Sequence, residues 1–413
     1  MGFLQSLRGC VSPFVRVSAL LVTMMCLSLG AARAANVSVD CSGGTPGAFT
    51  SLQAAIDSLD LVGPHHIAMV GGPQECFENV RIIDRQRLTI ESPGGIFIVS
   101  AAGPRANVLT ISGSTGIVVI LMGFRGGFNG VRIDRASEVS LLGCTIETNR
   151  NRGILAVENS TVRFDGAIRD NGRVGISLDS SRLNATGTII ENNGRRGVDV
   201  GNGSSAVLVG PNTIQNNGRI GVNVGLGSTV DLEGDVADDG TPLPNIIEGH
   251  SLIGLNTTGS HVILAGPNKI RNNGFSGGQF HAGVRSDDNT IIVALGDGDI
   301  EITNNTGPGI EATIGGALDL SGTFITNNTE DGIRLLGNSQ VGFFPPNTNV
   351  LAGNGGESIA CDGTSVFFGD RTGVKDIECR ISELKAQPSW SGRRRMMEEE
   401  KESQRSRRDR NPE

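Results

Sequence analysis

One frame, Ile-x-x-Asn-x-x-x-Gly-Ile, recurs along this chain and limits its fold more than any other feature. It reads Ile146-x-x-Asn149 to Gly153-Ile154, Ile168-x-x-Asn171 to Gly175-Ile176, Ile190-x-x-Asn193 to Gly197-Val198, and Ile214-x-x-Asn217 to Gly221-Val222. It returns at Ile247-x-x-His250 to Gly254-Leu255, Ile270-x-x-Asn273 to Gly283-Val284, Ile302-x-x-Asn305 to Gly309-Ile310, and Ile325-x-x-Asn328 to Gly332-Ile333, then more loosely at Leu351, Asn354 and Ser358-Ile359. Successive asparagine positions lie 22, 22, 24, 33, 23, 32, 23 and 26 residues apart. A period in the low twenties with occasional longer steps describes a solenoid whose coils carry insertions at their corners.

Inside one unit the residues alternate in short runs. Val198-Asp-Val200 is followed by Gly201-Asn-Gly-Ser204, then Ala206-Val-Leu-Val209, then Gly210-Pro-Asn212, then Thr213-Ile214. Runs of three to five residues bounded by Gly, Asn and Pro are too short for helices and read as strands. About three strands per coil, each pairing in parallel with its counterpart in the next coil about 4.8 Å away, predict an all-β, single-stranded parallel β-helix. The crossover rule favours a right-handed path. With no Tyr and only 4% aromatic residues, the interior is expected to be stacked Ile, Val and Leu, which suffices when each coil buries its few aliphatics against its neighbours.

The ends differ from the middle. Arg8 and Arg16 precede an apolar run from Ala19 to Leu29, and Ala32-Arg33-Ala34 offers a small-x-small cleavage site, so residues 1–34 read as a signal peptide. The run is short for a membrane span. The chain is therefore expected to be secreted or periplasmic after cleavage near Ala34. Export favours disulfides, and proximity pairs Cys41 with Cys76 and Cys361 with Cys379, leaving Cys144 as a buried apolar residue. Leu52, Ala55, Ile56 and Leu59 share one helical face behind Thr50 or Ser51 as N-cap, a capping helix for the first coil. Residues 35–380 form the expected β-helix domain. Residues 381–413, with Arg393-Arg-Arg395 and Glu398-Glu-Glu400, form an expected disordered, charged tail.

Charge restricts the partners. The whole chain has a net charge of −8, and residues 36–380 hold 23 basic against 36 acidic side chains. That balance argues against nucleic acid as partner. No membrane span is expected, and a monomer is.

These features together resemble the right-handed β-helix repeat proteins of the pectin lyase-like superfamily. The opening segment, Val39-Asp-Cys41, then Leu52-Gln-Ala-Ala-Ile56, then Gly71-Gly72 through Cys76-Phe-Glu-Asn-Val-Arg-Ile82, is similar to that of many exported members, and the likeness spans roughly residues 37–380. It implies processing or binding of acidic polysaccharide, although fold alone does not fix function.

The asparagine column itself is expected to be architectural, because asparagines at one corner can hydrogen-bond along the stack and take the left-handed turn conformation cheaply. His250 is read as a rung of the same ladder. The column two residues after the repeated Gly points outward and reads Leu155, Ser177, Asp199, Asn223, Asn256, Arg285, Glu311, Arg334. Asp199 to Arg334 is the candidate strand-face binding stripe. Asp199 and Glu311 would stand four rungs apart, about 19 Å, whereas paired-carboxylate hydrolysis needs about 5 to 9.5 Å. A polysaccharide lyase-like use of the stripe would need Ca²⁺ ligands and a basic residue. Arg285, Asp287 and Asp288 supply the types, but Asp287-Asp288-Asn289 reads as a turn, so no cofactor or metal is assigned.

Asp238-Asp239 and Gly249-His250-Ser251 imitate polygalacturonase motifs but lie only half a coil apart, and no catalytic residue is assigned. A second candidate is Arg173, Arg195 and Arg219, at one corner position of three consecutive coils, where stacked like charges repel. Glu147, Arg169 and Glu191 in a neighbouring column, or an anionic glycan, would relieve that repulsion. The expected function is contact with cell-surface or environmental acidic polysaccharide without an identifiable catalytic motif, and a lyase-like enzyme is the alternative.

Overall fold

The structure, a computed structural model, describes residues 34–72, 75–225, 227–276, 281–345, 348–372 and 374–381. The expected signal peptide and charged tail lie outside these residues. Three strands make a coil, for example Arg196–Gly201, Ser205–Val209 and Asn212–Gln215. The first strands of the coils stack into one 13-stranded parallel sheet, and the other two columns join in a 23-stranded sheet. Register is strict: Val200 pairs with Leu178 and Val224, and Ile214 with Ile190 and Ile247.

Alternation explains the core. Val198, Val200, Leu208 and Ile214 point inward and are at most 1% exposed, while Asp199 between two of them faces out. Each buried aliphatic contributes about 1.5–3 kcal/mol, and each touches its equivalents one rung away. The repeated Gly exists for space. A Cβ on Gly197 would sit 2.6 Å from Ile214 Cγ2, 2.7 Å from the Gly221 carbonyl oxygen and 2.9 Å from Asn217 Nδ2.

Each corner has its own polar ladder. At the asparagine corner, the backbone N–H and side-chain Nδ2 of Asn171 both donate to Asn193 Oδ1 (3.1 and 3.0 Å), and those of Asn193 to Asn217 Oδ1 (3.0 and 2.9 Å). The pattern resumes from Asn273 through Asn305 and Asn328 to Asn354. The left-handed residue is the one before each ladder asparagine: Thr148, Asp170, Asn192, Asn216, Asn272, Asn304 and Asn327 have φ of 53–57°. Sequence reasoning gave that conformation to the ladder residue itself. Turning the chain one residue earlier lets the ladder asparagine aim its N–H and amide along the stack.

A second ladder, missed in the sequence, runs through Ser114, Ser137, Ser160, Ser181 and Ser204, each backbone N–H donating to the next hydroxyl at 3.1–3.3 Å.

The helix Leu52–Asp57 closes the first coil with Leu52, Ala55 and Ile56 buried and Ser51 as N-cap. The Glu78 carboxylate accepts the N–H groups of Leu52 (2.7 Å) and Gln53 (3.1 Å), satisfying two donors of the helix start. Disulfides join Cys41 to Cys76 and Cys361 to Cys379, and Cys144 is free and buried, its thiol pushed up to about 12 by burial. No helix among the described residues is long and apolar enough to cross a membrane.

Candidate functional site

The candidate stripe is a true column. Asp199 pairs in register with Asn223, then Asn256, Arg285, Glu311 and Arg334, on the outer face of the 13-stranded sheet. Four rungs separate Asp199 from Glu311. The side chains are bonded to one another: Asn256 Nδ2 donates to Asn223 Oδ1 and Asn223 Nδ2 to Asp199 Oδ1, both at 2.8 Å. Arg196 holds both oxygens of Asp199 at 2.9 Å. Arg285 Nε bonds Asp287 at 2.9 Å, and Arg334 pairs with Glu330 at 2.7 Å and Asp331 at 2.8 Å.

Glu311 lies between Arg285 (3.6 Å) and Arg334 (3.8 Å). Burial still pushes its carboxyl above the ordinary glutamate value, because neither arginine is within hydrogen-bonding distance to offset the lost solvation. Asp287 also accepts from the Thr313 hydroxyl, while Asp288 and Asn289 take left-handed turn conformations (φ 53° and 57°).

His250 is a rung, as the sequence suggested. It is fully buried; its Nδ1 accepts the Asn217 N–H at 3.1 Å, and Nε2 lies 3.1 Å from the Ile214 carbonyl oxygen. A carbonyl can only accept, so the proton sits on Nε2. In the next-lower rung Asn217 Nδ2 donates to Ile190 O at 3.0 Å. The imidazole thus reproduces two bonds of a ladder asparagine, the accepted backbone N–H and the donated carbonyl bond. Asp239 caps its own turn by accepting the Thr241 N–H at 2.9 Å, in the hairpin of Asp235–Val236 with Pro242–Leu243. The hairpin enters between the two columns of the 23-stranded sheet, away from the stripe. The second insertion, 275–281, is described only at Phe275, Ser276 and His281.

The arginines at the asparagine corner behave differently. Arg195 N–H donates to the Arg173 carbonyl and Arg219 N–H to the Arg195 carbonyl, both at 2.6 Å, which fixes the three on consecutive rungs. All three are exposed, and none makes an ion pair among the described residues. The acidic neighbours expected to neutralise them are engaged elsewhere. Glu147 holds Arg169 at 2.9 Å, and Glu191 accepts from Gln215 at 2.7 Å. Beside the column run Gly172, Gly194 and Gly218, each placed where a Cβ would strike the carbonyl oxygen of the preceding coil. These three glycines are exposed, so bare backbone runs beside the arginines.

Two rungs below, the same corner position is held by Phe128: Asn151 N–H donates to its carbonyl and Arg173 N–H to that of Asn151, both at 2.8 Å. Phe128, Arg150, Pro104 and Arg105 line an open cleft of about 660 Å³. These residues were missed because Arg150 follows its ladder asparagine by one place rather than two, and the corner holding Arg105 precedes the first copy of the frame.

A family model for the right-handed beta helix region matches residues 80–237. No curated protein matches the chain in sequence. Among solved structures, the A-module of the Azotobacter vinelandii mannuronan C-5 epimerase AlgE4 is 15% identical with a TM-score of 0.50, covering 78% of this chain and 97% of that one. The A-module of AlgE6 from the same organism is 15% identical with a TM-score of 0.47, covering 75% and 94%. An alginate lyase from Paenibacillus sp. str. FPU-7 is 12% identical with a TM-score of 0.35, covering 80% and 99%. Likeness at such identities concerns the fold. Parallel stacking in three columns and the family match over residues 80–237 agree on the fold, a right-handed parallel β-helix.

Proposed function

We propose that this protein is an exported β-helix that binds acidic polysaccharide along the column of Arg173, Arg195 and Arg219. One observation carries the reading. Three guanidinium side chains are stacked on consecutive rungs without an ion pair among the described residues, whereas the neighbouring charged columns are cross-paired. Like charges about 4.8 Å apart are unfavourable, and a polyanion lying along the axis offsets that repulsion at every rung. The exposed glycines allow a ring to approach the backbone. The rise per rung is close to the length of one pyranose residue in an extended chain. The similar fold named as a mannuronan C-5 epimerase A-module, that of AlgE4, makes a polysaccharide the class to try. Two disulfides suit an oxidising compartment outside the cytoplasm.

The strand-face stripe is the weaker candidate, because its charges are already matched to one another and Arg285 is engaged by Asp287 and Glu311. The test is calorimetric titration of the protein with polygalacturonate, alginate and neutral dextran. Binding of an acidic polymer, absent with dextran and lost on replacing Arg173, Arg195 and Arg219 by Gln, supports the reading. Equal binding by the triple variant would refute it.

A further inference from the structure

The arginine column does not fade out at its lower end. Beyond Arg173 the corner column continues to Asn151 and Phe128, and the corner below is lengthened: eight residues separate Ser100 from Leu109, against three between Arg125 and Asn129. The extra length makes a turn, with the Ala106 N–H donating to Gly103 at 3.3 Å, and it places Pro104 and Arg105 across from Phe128 and Arg150. Phe128 is 44% exposed although it is a large aromatic. Arg105 and Arg150 are exposed and form no ion pair among the described residues.

At the junction of cleft and column, two polar atoms are buried without partners: Oδ1 of Asn151, a residue 4% exposed, and Nε of Arg152. The Asn151 amide donates to Asn129 Oδ1 at 3.1 Å, and that short ladder ends there because Arg173 occupies the next rung. Arg152 is half-buried beside Arg173, and both burial and that neighbouring charge push its guanidinium below the ordinary value. Buried polar atoms without partners are uncommon; here an acceptor and a donor lie on adjacent residues, and others in the stack include Ser228 Oγ and Ser286 Oγ.

We infer that this cleft is a distinct subsite for one anionic sugar residue at the end of the arginine column. Phe128 and Pro104 take the apolar face of the pyranose ring, and Arg105 and Arg150 take its carboxylate or sulfate. The division of labour follows the chemistry of concave sites: an apolar surface with a few convergent polar groups fixes orientation, and a guanidinium engages an oxyanion through paired N–H donors. The column alone offers charge and can bind any polyanion of suitable spacing. The cleft adds an aromatic surface, so it selects a saccharide over a non-carbohydrate polyanion. This inference rests on the arginine column being the glycan face, and the experiment separates the two.

The chain has no Tyr and one Trp, Trp390, so Phe128→Trp in a Trp390→Phe background is a local reporter. Titration with a galacturonate oligosaccharide should change its fluorescence saturably, and polyphosphate should bind the protein with a smaller fluorescence change. Phe128→Ala and Arg150→Gln should each weaken the oligosaccharide about tenfold, roughly 1.4 kcal/mol, and polyphosphate by less for Phe128→Ala. Loss of binding in Arg195→Gln with full affinity in Phe128→Ala and Arg150→Gln would overturn the subsite and leave the column standing. No acidic glycan binding by the wild-type protein would overturn both.

Discussion

His250 Nδ1 accepts the backbone N–H of Asn217 at 3.1 Å, so a histidine completes a ladder otherwise built from asparagine. Burial pushes the imidazole down to about 4 from an ordinary 6.5, since the charged form would lose its solvation there. The unfolded chain takes up that proton first. Stability from this rung is therefore complete above about pH 6.5, falls as the pH drops, and is fully lost below about pH 4, a total of about 3 kcal/mol. Asp40 and Asp362, whose carboxyls are held well below the usual range by hydrogen bonds from Ser42 and Thr45 and from Gly337 and Thr364, act only at lower pH. Thermal unfolding at pH 7.5 and pH 4.5 should show a smaller acid-induced drop for His250→Asn than for wild type. Identical drops would mean that His250 is not the group that titrates.

Asn193→Ala removes the Oδ1 that accepts both the N–H and the Nδ2 of Asn171. The Asn171 Nδ2 keeps the Ile146 and Arg169 carbonyls, but its N–H loses its acceptor; a buried donor left unpaired costs about 1–3 kcal/mol, and a loss in that range is expected in denaturant unfolding. Asn223→Ala, on the half-exposed stripe, should cost about 1 kcal/mol or less. Hydrogen exchange should rise mainly in the coils flanking Asn193, because each coil of a solenoid touches only its neighbours. Uniform destabilisation along the stack would contradict this.

Gly197 and Gly203 are both required, for different reasons. A Cβ at Gly197 meets Ile214, Gly221 and Asn217 at 2.6–2.9 Å, whereas Gly203 has φ +71° and open space around it. Gly197→Ala is expected to cost about 1–3 kcal/mol by overpacking, and Gly203→Ala about 1–2 kcal/mol from the left-handed backbone. Gly203→Asn should recover much of the latter, since asparagine tolerates that conformation. Gly197→Asn should not recover the former. Unfolding free energies of the four variants check the distinction.

The architecture was legible because the repeat fixes register. Once Ile214 and Asn217 were aligned with Ile190 and Asn193, strand faces, the inward aliphatics and the column from Asp199 to Arg334 followed. Ion pairing of Glu311 with Arg285 and Arg334 was legible too, from their alternating signs on adjacent rungs, and stands at 3.6 and 3.8 Å; the partners from outside the column were not. Arg196 reaches Asp199 along its own strand, and Glu330 and Asp331 reach Arg334 from the corner, and such reach depends on side-chain paths that a column of letters does not carry. The serine corner was hidden for another reason. Its members follow the preceding strand by variable spacing, although each stands directly before the next strand, as Ser137 does before Glu138 and Ser160 before Thr161, so a frame counted from the repeated Gly passes over them.

Asp199 separates the two faces in a single substitution. It holds Arg196, the guanidinium next in sequence to Arg195, with two bonds of 2.9 Å. Asp199→Asn weakens that hold and frees a cation beside the arginine column. If acidic glycan lies on that column, affinity for polygalacturonate should rise a few-fold at low ionic strength, and the gain should vanish near 1 M salt, where the Debye length is about 3 Å. If the glycan instead lies on the strand face, the same change removes a hydrogen-bonding member of the stripe and affinity should fall. Calorimetric titration of Asp199→Asn at low and high salt therefore gives opposite signs for the two faces. A decrease at low salt would exclude the arginine column as the principal site.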